Sequence, residues 1–504
     1  MGGDRKGADD ADPVNSVEAI LEQLQQRETL VRDVDDAAAA AAARRQLRCL
    51  AASVGSNTSS GPSLRSMISA LSALSRLCDQ KFVTFSYSDI LIAWRAIYID
   101  TQLLKACCAL SIPSDGHVDQ TATLRRCIRD LDLALIVAGA TSLSKHQPCH
   151  ALILALQSRL LDRGPQDIEY KVQPCASSDD TRARKRLKTT PAESMKPIFT
   201  TVSQADSRIV EYDFSQAPTF MDLSSIGSTV RSKPFIVRGY AQRTDWSAVQ
   251  SDGGQGSWSS VNHLLKAAGP ARVVPVEVGA NYTRADWGQD MMLWSDFLRH
   301  CRWHQAVIPN EASHSESENG LGSSHVVLYM AQHDLASQFP ALQQDYRLPD
   351  YVYTCPSAPK DWPDYKPPAT EDGVITNLWV GPAGTISPPH HDAYHNCFVQ
   401  AVGYKEVWVS SPHLCPRKDV QSPLSSSEDK FAFNKATTKA SIAETLMTNT
   451  ASMDVFDKAV PIRSDIKAAA SNAILGPGDL LYMPPGWWHS LRSLTRSFSV
   501  STWF

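Results

Sequence analysis

Three side chains in this sequence have types and spacing suited to one metal ion. His390 and Asp392 lie one residue apart in GTISPPHHDAYHN, residues 384–396, and His489 follows about a hundred residues later in PPGWWHS. Two imidazoles and a carboxylate can occupy one face of an octahedral ion and leave the opposite face open for a co-substrate and oxygen, which is the ligand set of non-haem Fe(II) oxygenases. In a strand, residues two apart point the same way. His390 and Asp392 would therefore converge while His391 turns away. An isolated HxD triplet is common and carries little weight; the distal histidine, and a lysine in a suitable strand, give this one its force.

The elements that must position these groups are strands. Residues 473–484, AILGPGDLLYMP, read as strand, turn, strand, with Pro477-Gly478 as the turn. Pro485-Gly486 then bends the chain just before His489. Lys405 falls in the strand-like run from Cys397 to Val409, which Gly403 interrupts. A lysine buried beside a metal needs an anion, and a dicarboxylate co-substrate would supply it; the competing role is a solvated cation at a strand edge. Further short apolar runs occur at 234–239, 272–279, 326–330, 374–380 and 497–503. Many short strands with Gly/Pro turns predict a sandwiched β architecture, and a double-sheet, cupin-like jelly roll suits a metal between its sheets.

Composition divides the chain. Trp94 is the only tryptophan before Trp246, and the other eleven lie from there on. Residues 1–164 read as a helical domain, its first ~15 residues disordered. The run Ala37 to Ala43 has high helix propensity, and apolar residues recur at helical spacing over 89–110, 124–138 and 149–162. Residues 165–196 lose all apolar periodicity and read as a flexible basic linker. The stretch Arg182 to Lys188, RARKRLK, fits a nuclear-import patch, a nucleic-acid contact or simply a solvated linker, of which import is the reading favoured. This makes a nuclear and/or cytoplasmic location the expectation. Residues 197–504 form the candidate catalytic domain, with an insertion near 424–470 rich in Ser, Ala, Thr and Asp.

At 504 residues with a net charge of −4, the chain has no global drive towards nucleic acid or anionic membranes. No direct nucleic-acid binding and no membrane association are expected. The first residues, MGGDRKGADD, carry no signal-peptide pattern. The 11 cysteines include no CxxC pair and suit a reducing compartment.

In order along roughly 230 residues stand PVEVGANYT, YMAQHDLASQFPALQQDYRLPDY, NLWVGPAGTISPPHHDAYHN, QAVGYKEVWVSSP and LGPGDLLYMPPGWWHS. Together they resemble the JmjC domain of 2-oxoglutarate- and Fe(II)-dependent oxygenases, and within it the lysine demethylase 8 subgroup, regarded mainly as arginyl hydroxylases. WRAIYIDTQLLKACCAL is similar, more weakly, to part of that subgroup's helical domain. The resemblance implies an α+β chain: a C-terminal double-stranded β-helix of JmjC type preceded by helices. It implies Fe(II), 2-oxoglutarate and O2 as cofactor and co-substrates, with His390, Asp392 and His489 as metal ligands. Lys405 would pair with the distal carboxylate of 2-oxoglutarate, with Tyr329, Ser387 and Asn396 as further polar contacts. Glu277 and Trp379 match positions that line the substrate pocket, and their chemistry suits a cationic side chain; a strand-end carboxylate and a core indole are their structural alternatives. Three features depart from the subgroup. Pro389 stands where a larger apolar residue is usual, residues 424–470 are longer, and Phe504 follows the last strand with little tail to contribute to a dimer.

The reading for function is a protein hydroxylase acting on arginyl side chains, with a protein or peptide as partner. The alternatives are a histone lysine demethylase on the same core, and a non-catalytic metal-containing chromatin adapter.

Overall fold

The computed structural model describes residues 36–56, 61–84, 90, 92–112, 117–139, 143–162, 199–225, 229–250, 256–279, 287–304, 327–414, 449–451, 453–459 and 462–504. The first fifteen residues, the linker at 165–196 with its basic stretch, and 424–448 of the insertion lie outside the described residues. The chain divides into two compact units. One takes in residues up to Ile168 together with Ala268–Pro275, and the other runs over 169–267, 276–422 and 447–504.

The first unit is helical: α1 (Asp36–Ser56), α2 (Gly61–Thr84), α3 (Ile92–Ser111), α4 (His117–Ala138) and α5 (Leu143–Leu161). The alanine run lies in α1, where Ala40, Ala43, Leu47 and Ala51 are buried. Helix α2 was not anticipated, although Leu64, Met67, Leu71, Leu74, Cys78 and Phe82 make a buried stripe at helical spacing. Helix α4 ends at Gly139, whose φ of 68° suits the left-handed turn in which its amide donates to the carbonyl of Leu135 at 3.2 Å. A buried ion pair ties in the segment at 268–275. The Arg272 guanidinium donates to both oxygens of Asp132 at 2.6–2.9 Å, and the Val273 amide donates to the same carboxylate at 2.9 Å. Among the described residues no helix is long and apolar enough to cross a membrane.

The second unit is built on strands, and the described residues form fourteen of them in two sheets, with one, Val273–Val278, starting in the segment that belongs to the first unit. The smaller sheet runs in the order β1 (Ser207–Arg208), β11 (Ser471–Leu475), β10 (Lys405–Ser410), β13 (Trp488–Ser493), β8 (Ile386–His391). The larger one runs β2 (Val210–Asp213), β3 (Phe235–Arg238), β12 (Leu480–Met483), β9 (Asn396–Val402), β14 (Ser497–Trp503), β7 (Ile375–Gly381), β6 (Leu328–His333), β4 (Val273–Val278), β5 (Gly288–Leu293). Strands from β7 to β14 alternate one by one between the two sheets, except that β10 and β11 both lie in the smaller one; this is the double-stranded β-helix expected from the sequence. The two sheets share an apolar core that includes Phe398, Val407, Val409, Leu475, Leu481, Met483 and Leu491. The far face of β10 and β13 carries Trp408 and Trp488, and the described end of the insertion covers them with Ala451, Val455, Phe456, Ile466 and Ala470. Part of that end is helical, at Ser464–Ala469.

Each predicted run contains a strand within a few residues of its bounds, whereas β1, β2 and β5 had not been predicted. The run from Cys397 is two strands, β9 in the larger sheet and β10 in the smaller, and the chain crosses between them at Gly403 (φ 77°). A Cβ there would lie 1.9 Å from the carbonyl oxygen of Arg496.

Candidate metal centre

His390 and His489 face each other across the β8–β13 ladder as register partners. Their ring centroids are 4.2 Å apart. Asp392 stands just beyond the end of β8, and its Oδ2 lies 3.5 Å from His489 Nε2. One ligand atom from each of the three lies within 4.8 Å of the others. Neighbouring ligands on a six-coordinate ion with bonds of about 2.1 Å stand about 3 Å apart, so this cluster is close to metal spacing.

The imidazoles are already turned for such a role. His390 Nδ1 is 2.7 Å from the carbonyl oxygen of Pro388, and His489 Nδ1 is 3.0 Å from that of Trp487. A carbonyl only accepts, so each Nδ1 carries the proton and each Nε2 keeps its lone pair. Asp392 is tied through its carbonyl, which accepts from the Gly486 amide at 2.8 Å. His391 turns away between the rings of Trp362 and Trp488, as alternation requires. With two imidazoles, one carboxylate and no thiolate, the donor set fits Fe(II) better than a thiophilic metal.

A small cavity opens on this cluster. His390, Asp392 and His489 line it, together with Lys405, Tyr329, Ser387, Asn396 and Trp379. Seven of the eight come from strands of the two sheets; only Asp392 stands just past a strand end. Lys405 is 98 % buried, at the first position of β10, and burial pushes its ammonium down to about 7. Its Nζ donates to the Tyr329 hydroxyl at 3.2 Å, and among the described residues no carboxylate pairs with it. The solvated strand-edge role is thereby excluded. Tyr329 is fully buried, which pushes its phenol well up and keeps it protonated; Ser387 hydrogen-bonds to it. Asn396 Oδ1 accepts from Ser501 Oγ at 3.0 Å.

Ser387 lies three residues before His390, so strict alternation would set it on the opposite face. The register between β8 and β13 slips there, with His489 opposite His390 but Leu491 opposite Ser387. Pro388 and Pro389 fill this bulge, having no N–H to lose. Thr385 hydrogen-bonds Ser493 Oγ at 2.7 Å and does not line the cavity.

Trp379 lines the cavity, and among the described residues its buried Nε1 has no hydrogen-bond partner. Glu277 does not line it. It pairs with Tyr329 across β4 and β6 and accepts from Trp287 Nε1 at 3.4 Å. The sequence reading missed Phe398, Met483, Leu491 and Ser501 in the lining. Phe398 and Leu491 were within reach, each two residues beyond a named site residue on the same strand.

A jelly roll holding two histidines and a carboxylate between its sheets defines a metal-binding cupin. The cupin-like domain family matches residues 228–504, and the chain belongs to it. Its site-bearing part is similar to JmjC proteins. It is 33 % identical over 247 residues to the Jumonji C domain-containing protein 5 of Drosophila melanogaster, covering 49 % of this chain and 50 % of that one. It is 31 % identical over 279 residues to lysine-specific demethylase 8 of Xenopus tropicalis, covering 55 % and 48 %. With the lysine-specific demethylase JMJ30 of Arabidopsis thaliana the identity is 32 % over 254 residues, covering 49 % and 46 %. The chain thus spans about half the length of the curated relatives it matches.

Proposed function

We propose that the chain is a 2-oxoglutarate- and Fe(II)-dependent oxygenase that hydroxylates arginyl side chains of proteins. Lys405 carries this reading. Its ammonium is buried in the same cavity as the His–Asp–His cluster, with no carboxylate paired to it among the described residues. A buried cation calls for an anion, and a dicarboxylate that also chelates the ion meets that need. When bound, iron and 2-oxoglutarate together supply the activation of dioxygen for hydroxylating an aliphatic carbon.

The chain's own residues bind and orient. His390, Asp392 and His489 hold the ion. Lys405, Tyr329, Ser387 and Asn396 take the co-substrate, the lysine supplying charge and the other three direction. Phe398, Met483 and Leu491 keep the cavity floor apolar, which excludes water and strengthens each polar contact. Trp379 offers an indole face and an unused N–H, and Glu277 a nearby carboxylate, a pair suited to a guanidinium.

A second reading, a histone lysine demethylase, is favoured by the names of the Xenopus and Arabidopsis relatives. It needs the same core: hydroxylation of an N-methyl carbon leads to loss of formaldehyde. The test is to incubate the full chain with Fe(II), 2-oxoglutarate and a library of arginine- and methyl-lysine-containing peptides. Succinate formation with one oxygen gained on arginine peptides supports the first reading. Loss of a methyl group with formaldehyde supports the second. No succinate with any peptide overturns both.

A further inference from the structure

Strand β8, which presents the first metal ligand, is the last strand of its sheet. Strand β13 holds one edge, and among the described residues the other edge meets only Asn449–Ala451, at the end of the insertion. Thr450 stands opposite His390 as an antiparallel bridge. The His391 amide donates to the Asn449 carbonyl at 3.0 Å, and the Ala451 amide donates to the Pro389 carbonyl at 2.8 Å. Asn449 Nδ2 donates to the His391 carbonyl at 3.2 Å. These three bonds bracket His390. The last of them grips the peptide unit that joins His391 to Asp392.

The other edge of β8 is weakest at the same place. The register with β13 slips between His489 and Leu491. Pro388 and Pro389 have no amide hydrogen to add to the ladder. The short segment is itself well anchored. Ala451 is fully buried and packs with Val455, Phe456, Trp408 and Trp488, and the Val455 carbonyl accepts from the Gln204 amide at 3.0 Å.

We propose that Asn449–Ala451 is a strap for the metal centre and that Asn449 is a positioning residue, fixing the register of His390 and Asp392 towards the ion. This rests on the metal reading above. The backbone of the strap sets where β8 lies, and the Asn449 amide sets the peptide plane from which Asp392 hangs. Asn449 touches no ligand atom. It acts as hydrogen-bond partners around metal sites do, by narrowing the orientations open to the ligands before the ion arrives.

The test is an anaerobic titration of the full chain with Co(II), followed by the visible absorption of the bound ion, on wild type and Asn449→Ala. Thermal unfolding of both metal-free proteins runs alongside. The expected result is Co(II) affinity weakened about tenfold with the metal-free melting temperature unchanged. Unchanged affinity in Asn449→Ala overturns the strap while leaving the metal site standing. A loss of affinity matched by a fall in metal-free stability also overturns it, because Asn449 would then be a general structural residue. A wild-type chain that takes up no Co(II) overturns the metal reading and the strap with it.

Discussion

His390 and His489 each commit Nδ1 to a backbone carbonyl two residues earlier, which fixes the ring and leaves Nε2 as the nitrogen to bind an ion. The arrangement is local, made within five residues of each ligand, and survives loss of one partner. His390→Ala is therefore expected to reduce 2-oxoglutarate turnover to background with a near-normal melting temperature; wild-type rates in that variant would rule out this site. Lys405 yields a second expectation, with a sign. Its ordinary value is 10.5 and burial lowers it to about 7. The folded, empty protein thus carries a penalty that is full below pH 7 and fades as pH rises towards 10.5. Lys405→Met should stabilise the empty protein, most at pH 7 and below. The same variant should weaken 2-oxoglutarate binding by roughly ten- to a hundredfold, the worth of a hydrogen bond to a charged group. In the wild type the co-substrate needs the ammonium form, so its affinity should fall as pH rises through 7. Calorimetry in buffers of different ionisation enthalpy would register the accompanying proton uptake, and a pH-independent affinity would count against Lys405 as the anchor.

At the scale of elements, the jelly roll was legible because its strands are short apolar runs closed by Gly and Pro, as at 374–380 and 480–483. Helix α2 was equally regular and went unread. The bulge at Pro388-Pro389 was open to suspicion but not to resolution, since prolines tell that a ladder breaks and not which way the next side chain turns. Ser387 came to the site by resemblance, and the slip in register explains how it gets there. The strap at Asn449–Ala451 left no trace, because its contacts with β8 are two backbone bonds and one amide, which impose no apolar pattern. The run at 272–279 was read as a strand and is one, β4, but its tie to helix α4 was not legible. Its ion pair explains this: Arg272 and Asp132 are 140 positions apart in sequence, and no local pattern joins them. Asp132→Ala would strand a buried guanidinium and the Val273 amide. The expected cost is about 3–5 kcal/mol, read as a lower denaturant midpoint. A surface-like loss of well under 1 kcal/mol would show that the pair is solvated in solution.

For the whole molecule, charge is the remaining lever. The net charge of −4 spread over 504 residues leaves little long-range field, yet five basic residues stand within seven positions at 182–188. That concentration is out of keeping with the rest of the chain. It lies in sequence between the helical residues and the jelly roll, in a stretch whose composition is rich in Ser, Asp, Thr and Pro. A basic cluster of this kind is read by an import receptor as a short extended peptide, so its function needs neither folded unit. We propose a nuclear share for this protein on that basis, consistent with a chromatin or other nuclear protein among its substrates. Replacing Arg184, Lys185 and Arg186 together by alanine should shift the fluorescently tagged full chain from nucleus to cytoplasm. Because these positions lie far in sequence from every cavity residue, 2-oxoglutarate turnover should stay at the wild-type level. An unchanged distribution would assign the cluster to a plain solvated linker, and a fall in turnover would mean that it bears on the active site instead.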